Sequence, residues 1–126
     1  LYDKVLYSII YNMNREYLTT IEKEMRKGLI EFAVLSVIAK NKIYTSDMLN
    51  LLKEAQLITS EGTLYPLLSR LSREEAVSYY WEESPSGPPR KYYQLTNKGQ
   101  TMLNTYQILW IKISQSINFL IKKNEQ

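Results

Sequence analysis

Gly87-Pro88-Pro89-Arg90-Lys91-Tyr92-Tyr93-Gln94-Leu95-Thr96-Asn97-Lys98-Gly99 reads as a rigid turn feeding a basic, aromatic strand that ends at a helix cap. The stretch before it, Val77-Ser78-Tyr79-Tyr80-Trp81-Glu82, is rich in β-branched and aromatic residues, and Glu83 to Pro89 between the two is full of turn formers. The two strands form a β-hairpin. Pro88 and Pro89 keep the loop from pairing as sheet, Gly87 gives it an unusual backbone angle, and Arg90 and Lys91 set two cations where the chain re-enters the strand. Such a loop either suits a phosphate backbone or carries solvated cations. Alternation along the strand turns Tyr93 and Leu95 toward the core.

Upstream, Thr59 to Leu71 places Leu64, Leu67, Leu68 and Leu71 on one helical face. Pro66 has no amide hydrogen and fits best in a first turn, so this helix is expected to start near Thr63, with Ser60 the alternative cap. Five helices and one hairpin are expected in all. Leu1 to about Tyr17 carries a stripe at Tyr2, Leu6, Ile9, Met13 and Tyr17. Thr19 and Glu22 resemble a capping box opening a second helix to about Lys40. Thr45 or Ser46 caps a third, to about Ala55, with Met48, Leu49, Leu51 and Leu52 inward.

The last helix starts after Thr96 and carries Leu103, Tyr106, Trp110, Ile113, Ile117 and Leu120 at spacings of three and four, the a/d seam of a coiled coil. A strip this long outlasts a small domain. It calls for a second copy of the chain, or for the Leu1 to Tyr17 helix to fold back over it.

The composition is that of an ordinary soluble domain: 126 residues, 44% hydrophobic and 23% charged. A net charge of +3 permits a nucleic-acid partner without demanding one. With no cysteine and no histidine, the chain lacks a disulfide framework, a thiolate nucleophile and the commonest base and metal ligand. Gly28, Gly62, Gly87 and Gly99 are isolated, so no phosphate-cradling loop is present. No catalytic residue, cofactor or metal site is assigned. The apolar run from Phe32 is far too short to span a bilayer, and no signal peptide is evident, so a cytoplasmic location without membrane contact is expected.

Thr63-Leu64-Tyr65-Pro66-Leu67-Leu68, then Arg70-Leu71, then Pro88 through Thr96, then Lys98-Gly99, resemble the PadR family of bacterial transcriptional regulators, over roughly Met25 to Trp110. The resemblance implies a mainly α fold with a small β-hairpin: a winged helix-turn-helix over 23–96, a helical extension over 1–22, and a C-terminal dimerisation helix over 97–126. It also implies a homodimer that represses a nearby gene until a small molecule binds. Two positions depart from the family pattern. Glu75 stands where glycine usually separates recognition helix from wing, and Thr45 where glycine commonly opens the second helix.

On this resemblance Tyr44, Ser60, Thr63, Tyr65, Arg70, Arg90 and Lys91 are the candidate contacts to double-stranded DNA. By their residues alone Tyr44 and Tyr65 are equally core aromatics, and Arg70 and Arg73, followed by Glu74 and Glu75, are equally solvated. The dimer interface is assigned to Leu103, Tyr106, Trp110, Ile113, Ile117 and Leu120. Multidrug-sensing members with a single C-terminal helix carry a tryptophan at the place of Trp110, which implies a slot for a planar aromatic effector at Trp110 and Tyr106. The alternative there is a tryptophan packed solid, with Tyr106 filling the space. A ligand-responsive repressor is the favoured reading, and a winged-helix protein interaction module without DNA binding is the alternative.

Overall fold

A computed structural model of the chain describes residues 4–12, 15–58 and 60–125. The elements in order are α1 (Lys4–Asn12), α2 (Arg15–Lys27), α3 (Ile30–Ala39), β1 (Ile43–Tyr44), α4 (Thr45–Glu54), α5 (Glu61–Arg73), β2 (Val77–Ser84), β3 (Gly87–Leu95) and α6 (Asn97–Asn124). They fall into two compact units, Leu1–Ile30 and Glu31–Gln126. No helix among the described residues is long and apolar enough to cross a membrane.

The N-terminal unit holds α1 and α2. The expected capping box is not a helix start, because Thr19 lies inside α2, which begins at Arg15. The expected helix to Lys40 is also interrupted: the chain turns at Gly28 and Leu29, the Leu29 amide donating to the Arg26 carbonyl at 2.8 Å, before α3 begins at Ile30. The turn is closed by this three-residue bond and not by a left-handed glycine, since Gly28 has no positive φ. Tyr2 and Met13 of the expected stripe lie outside the described residues.

In the second unit α3, α4 and α5 enclose a core of Val34, Leu35, Ile38, Met48, Leu52, Leu64, Leu68 and Leu71, with Ala76, Val77 and Tyr93 from the sheet side. Each such aliphatic side chain contributes about 1.5 to 3 kcal/mol by leaving water. On α4 the inward face is Met48, Leu49 and Leu52. Leu51, expected inward, is exposed because it falls on the flank of that face.

Helix α4 opens on Tyr44, not on Thr45 or Ser46. Thr45 is buried and donates its hydroxyl to the Lys91 carbonyl at 3.4 Å, stitching helix to sheet. Helix α5 starts at Glu61 with Ser60 at its cap, the alternative start. Pro66 consequently lies in the second turn and leaves the Gly62 carbonyl without its helical amide.

Both helices of this pair end alike. After α4 the Gln56 and Leu57 amides donate back to the Lys53 and Leu52 carbonyls. After α5 the Glu75 and Ala76 amides donate to those of Ser72 and Leu71. These are Schellman closures, which require a left-handed residue. Gln56 (φ 62°) and Glu75 (φ 61°) supply it without being glycine. Glu75 thus keeps the turn that glycine would make, at a cost of about 1 kcal/mol.

The sheet has three strands in the order β1-β3-β2, all antiparallel. The hairpin is as expected, while two-residue β1, pairing Ile43 with Tyr93 and Tyr44 with Tyr92, is an addition. Its turn is tighter than expected, since Ser84 still pairs with Gly87. Pro88 and Pro89 lie within β3, opposite Glu83, at an irregularity between the Glu82–Arg90 and Ser84–Gly87 pairs. A bulge is where a strand tolerates residues with no amide hydrogen. Gly87 has no positive φ. Tyr93 is buried, 4% exposed, and Leu95 half-buried, as alternation requires.

Helix α6 is capped by Thr96, whose Oγ1 accepts from the Gly99 amide at 3.1 Å. Its start is tied to the end of α5. Thr96 Oγ1 lies 2.6 Å from the Glu75 carbonyl and 3.0 Å from that of Ala76, the Thr96 amide donates to Ala76 at 3.1 Å, and Lys98 Nζ donates to the Glu74 carbonyl at 2.7 Å.

Candidate nucleic-acid interface

Burying Leu64, Leu68 and Leu71 dictates what α5 presents to solvent. With 3.6 residues per turn the opposite side carries Gly62, Tyr65, Pro66, Ser69 and Arg73, all exposed. Ser60 and Thr63 are exposed at the leading end, where the Ser60 side chain makes no capping hydrogen bond and its hydroxyl is left for a partner. The structure therefore gathers Ser60, Thr63 and Tyr65, three of the expected residues, around one helix start, where free amides and the helix dipole favour an anion.

Arg70 is placed differently. Its Nη2 lies 2.7 Å from Glu31 Oε1 on α3, and its Nη1 3.2 Å from Glu74 Oε1 one turn along α5. Glu31 also accepts a hydrogen bond from the Tyr106 hydroxyl on α6. Arg70 is 45% exposed, yet its guanidinium sits between two carboxylates that offset its charge and tie it to the packing of three helices. Arg73, one turn on, is exposed and makes no ion pair among the described residues. The leucine spacing identifies it: Arg73 lies directly opposite the buried face, Arg70 on its flank.

The hairpin cations separate onto two faces. Arg90 is exposed, opposite Glu82 in register, with its guanidinium 5.0 Å from the Tyr44 ring centre. That face continues through Tyr92, which meets the rings of Tyr44 (5.9 Å) and Tyr80 (5.9 Å). Lys42 Nζ reaches over Tyr80 and Tyr92 and pairs with Glu82 at 3.3 Å. Lys91 is on the other face, its ammonium 3.8 Å from the Tyr79 ring centre, with Tyr93 at 5.3 Å and Trp81 at 5.8 Å. Since neighbouring strand residues point to opposite sides, Arg90 and Lys91 cannot clamp one phosphate together.

On α6 the expected seam divides. Leu103 is only 2% exposed and packs in its own chain's core, so it is not an interface residue. Tyr106 is also used within the chain: its ring stacks on Phe32 at 5.5 Å and 5°, and burial, then the Glu31 carboxylate, push its phenol up to about 12. Trp110 is 48% exposed, with Phe32 tilted against it at 6.4 Å. From there Ile113, Ile117 and Leu120 are all more than half exposed.

Residues 34–105, more than half of the chain, match the transcriptional regulator PadR-like family. The chain belongs to the PadR family. An X-ray structure of a PadR-like transcription factor from Bacteroides fragilis is 44% identical, with a TM-score of 0.67 over 80% of this chain and 98% of that one. A PadR-like regulator from Bacillus cereus is 33% identical, TM-score 0.69, over 78% and 96%. Bacillus subtilis PadR, solved in complex with operator DNA, shares the fold at TM-score 0.57 and 23% identity over 64% of this chain and 47% of that one. An uncharacterized protein of Lysinibacillus sphaericus is 29% identical over 62 residues, 49% of this chain and 57% of that protein's length. The PadR segment runs from Val34 in α3 to Thr105 in α6, taking in the α4–α5 pair and the wing and leaving the exposed apolar stretch of α6 beyond it.

Proposed function

We propose that the chain is a DNA-binding transcriptional regulator that works as a ligand-responsive repressor, two copies joined through α6 on a two-fold symmetric operator. The observation that carries this is the outward face of α5, where a helix start with free hydroxyls at Ser60 and Thr63 is followed by exposed Tyr65, Ser69 and Arg73. Side chains at the leading end of such a helix reach base edges in the major groove, and cations beside it position the duplex by its phosphates. Arg90 on the wing is the second cation. The Bacillus subtilis relative with operator DNA supports the same use of the fold.

The assignment is tested by salt dependence on fragments selected from the organism's own genome. Each phosphate contact removed lowers the slope of log affinity against log salt by about one unit, so about two for a symmetric dimer. Arg73→Ala and Arg90→Ala are expected to show this loss, and Arg70→Ala, whose charge is already paired, to leave the slope unchanged. Lys91→Ala acts less than Arg90→Ala. A steep slope that survives loss of both Arg73 and Arg90 would move the contact surface elsewhere, and failure to retain any fragment would favour a protein interaction module.

The effector is assigned to the exposed face of Trp110, which a planar aromatic molecule can stack upon for about 0.5 to 1.5 kcal/mol beyond burial. The Tyr106 ring is stacked on Phe32, against which Trp110 also lies tilted, so in this reading Tyr106 acts as a neighbour of the stacking face. With Trp81→Phe leaving one indole, planar cationic dyes are expected to quench Trp110 fluorescence and release DNA. Absence of quenching by any of them would place effector binding elsewhere.

A further inference from the structure

Beside the apolar packing of Leu103 and of the Tyr106 ring on Phe32, polar attachments at two separate places hold the direction of α6 relative to α5. The first is the knot of Thr96, Lys98 and Gly99 on the carbonyls that follow α5. Backbone carbonyls fix the end of the rod, and non-directional packing at Leu103 limits its angle without defining it as a directional bond does. The second attachment is about 10 Å further along α6, seven residues at 1.5 Å each, where the Tyr106 hydroxyl donates to Glu31 and Glu31 holds Arg70 of α5. Glu31 is in the first turn of α3, a favourable place for a carboxylate, and its side chain is largely buried. Three helices therefore meet at one carboxylate. Burial and then the Glu31 carboxylate hold the Tyr106 phenol above its ordinary range, in keeping with its place as the donor.

We infer that Tyr106, acting through Glu31 on Arg70, is a positioning residue that sets the angle between the recognition helix and the dimerisation helix, and with it the half-site spacing that the dimer accepts. The inference rests on the proposed dimer on a two-fold operator. The geometry gives it leverage. A change of about 10° at the fixed end, carried over the roughly 27 Å from Gly99 to Ile117, displaces the seam by about 5 Å. That exceeds the roughly 3.4 Å rise of one base pair. Losing the second attachment should therefore relax spacing selection while leaving each recognition helix able to read its half-site.

The experiment measures affinity for a series of duplexes in which the halves of one genome-selected operator are moved apart or together by single base pairs. It compares wild type with Tyr106→Phe, which keeps the ring stacked on Phe32 and removes the hydroxyl, and with Glu31→Gln, which keeps the shape and removes the charge. Wild type is expected to lose about tenfold for each base pair of displacement, comparable to the cost of a wrong base. Both variants are expected to bind the best spacing within a few-fold of wild type and to show a flattened profile. A merely structural role would lower melting temperature and affinity alike at every spacing and leave the profile as sharp as wild type, which would overturn the inference. Should Tyr106→Phe fail to fold, Glu31→Gln decides. A wild-type profile indifferent to spacing would instead overturn the two-fold operator reading itself.

Discussion

Replacing Gly99 with alanine is expected to cost about 3 kcal/mol or more of folding stability, the upper end for forcing extra volume into a packed site. A Cβ at this position would stand 2.0 Å from the Ala76 carbonyl oxygen and 3.0 Å from its carbon, with Leu95 Cδ2 at 3.2 Å. The first two are backbone atoms in the turn that closes α5, so they cannot rotate aside. In an open helix the same change would gain up to about 1 kcal/mol from helix propensity, so the sign of the effect is itself diagnostic. Gly62→Ala serves as that control, because its Cβ would meet nothing nearer than Ser60 Oγ at 3.7 Å. Urea midpoints at constant slope read both changes. A neutral or stabilising Gly99→Ala would mean that α6 does not rest on the end of α5.

Ile113→Glu, and separately Ile117→Glu, is expected to convert the protein to a folded monomer that has lost operator binding. Ile113 is 57% and Ile117 52% exposed in the single chain, so a carboxylate at either place barely touches the protomer's own core. Between two such helices the same carboxylate is buried without a partner, which costs several kcal/mol. Large apolar side chains exposed from Ile108 to Ile121 form a stretch that a soluble monomer rarely leaves open. Leu103→Glu would behave differently, unfolding the protomer, because Leu103 lies in the core. Unchanged molecular mass for both isoleucine variants would remove α6 from the interface.

The parts of this fold that the residues announce are those with a strict local period. Alternation in β3 places Tyr93 inside. Three- and four-residue spacing in α5 selects Leu64, Leu68 and Leu71, and the threonine three residues before Gly99 marks the start of α6. Strand β1 is not announced, because two residues have no period and pair only once β3 exists. The interruption between α2 and α3 falls at Gly28 and Leu29 within an otherwise helical run, and an isolated glycine does not by itself announce a break. The direction of Arg70 depends on Glu31, 39 positions upstream, and no local pattern reports that pairing. The same holds for Leu103 and Tyr106, which continue the seam in spacing but lie where α6 is still packed on its own domain. Arg73 is announced by the same spacing, since the leucines that define the inner face of α5 also define its opposite.

The mass of the protein–duplex complex in solution, measured by light scattering on a genome-selected operator fragment for wild type and Ile113→Glu, decides whether two copies joined through α6 share one operator. Two protomers per duplex are expected for wild type, with protected major-groove segments about one helical turn apart, and no stable complex is expected for the variant. One wild-type protomer per duplex, or a variant that protects both segments as wild type does, would contradict that arrangement.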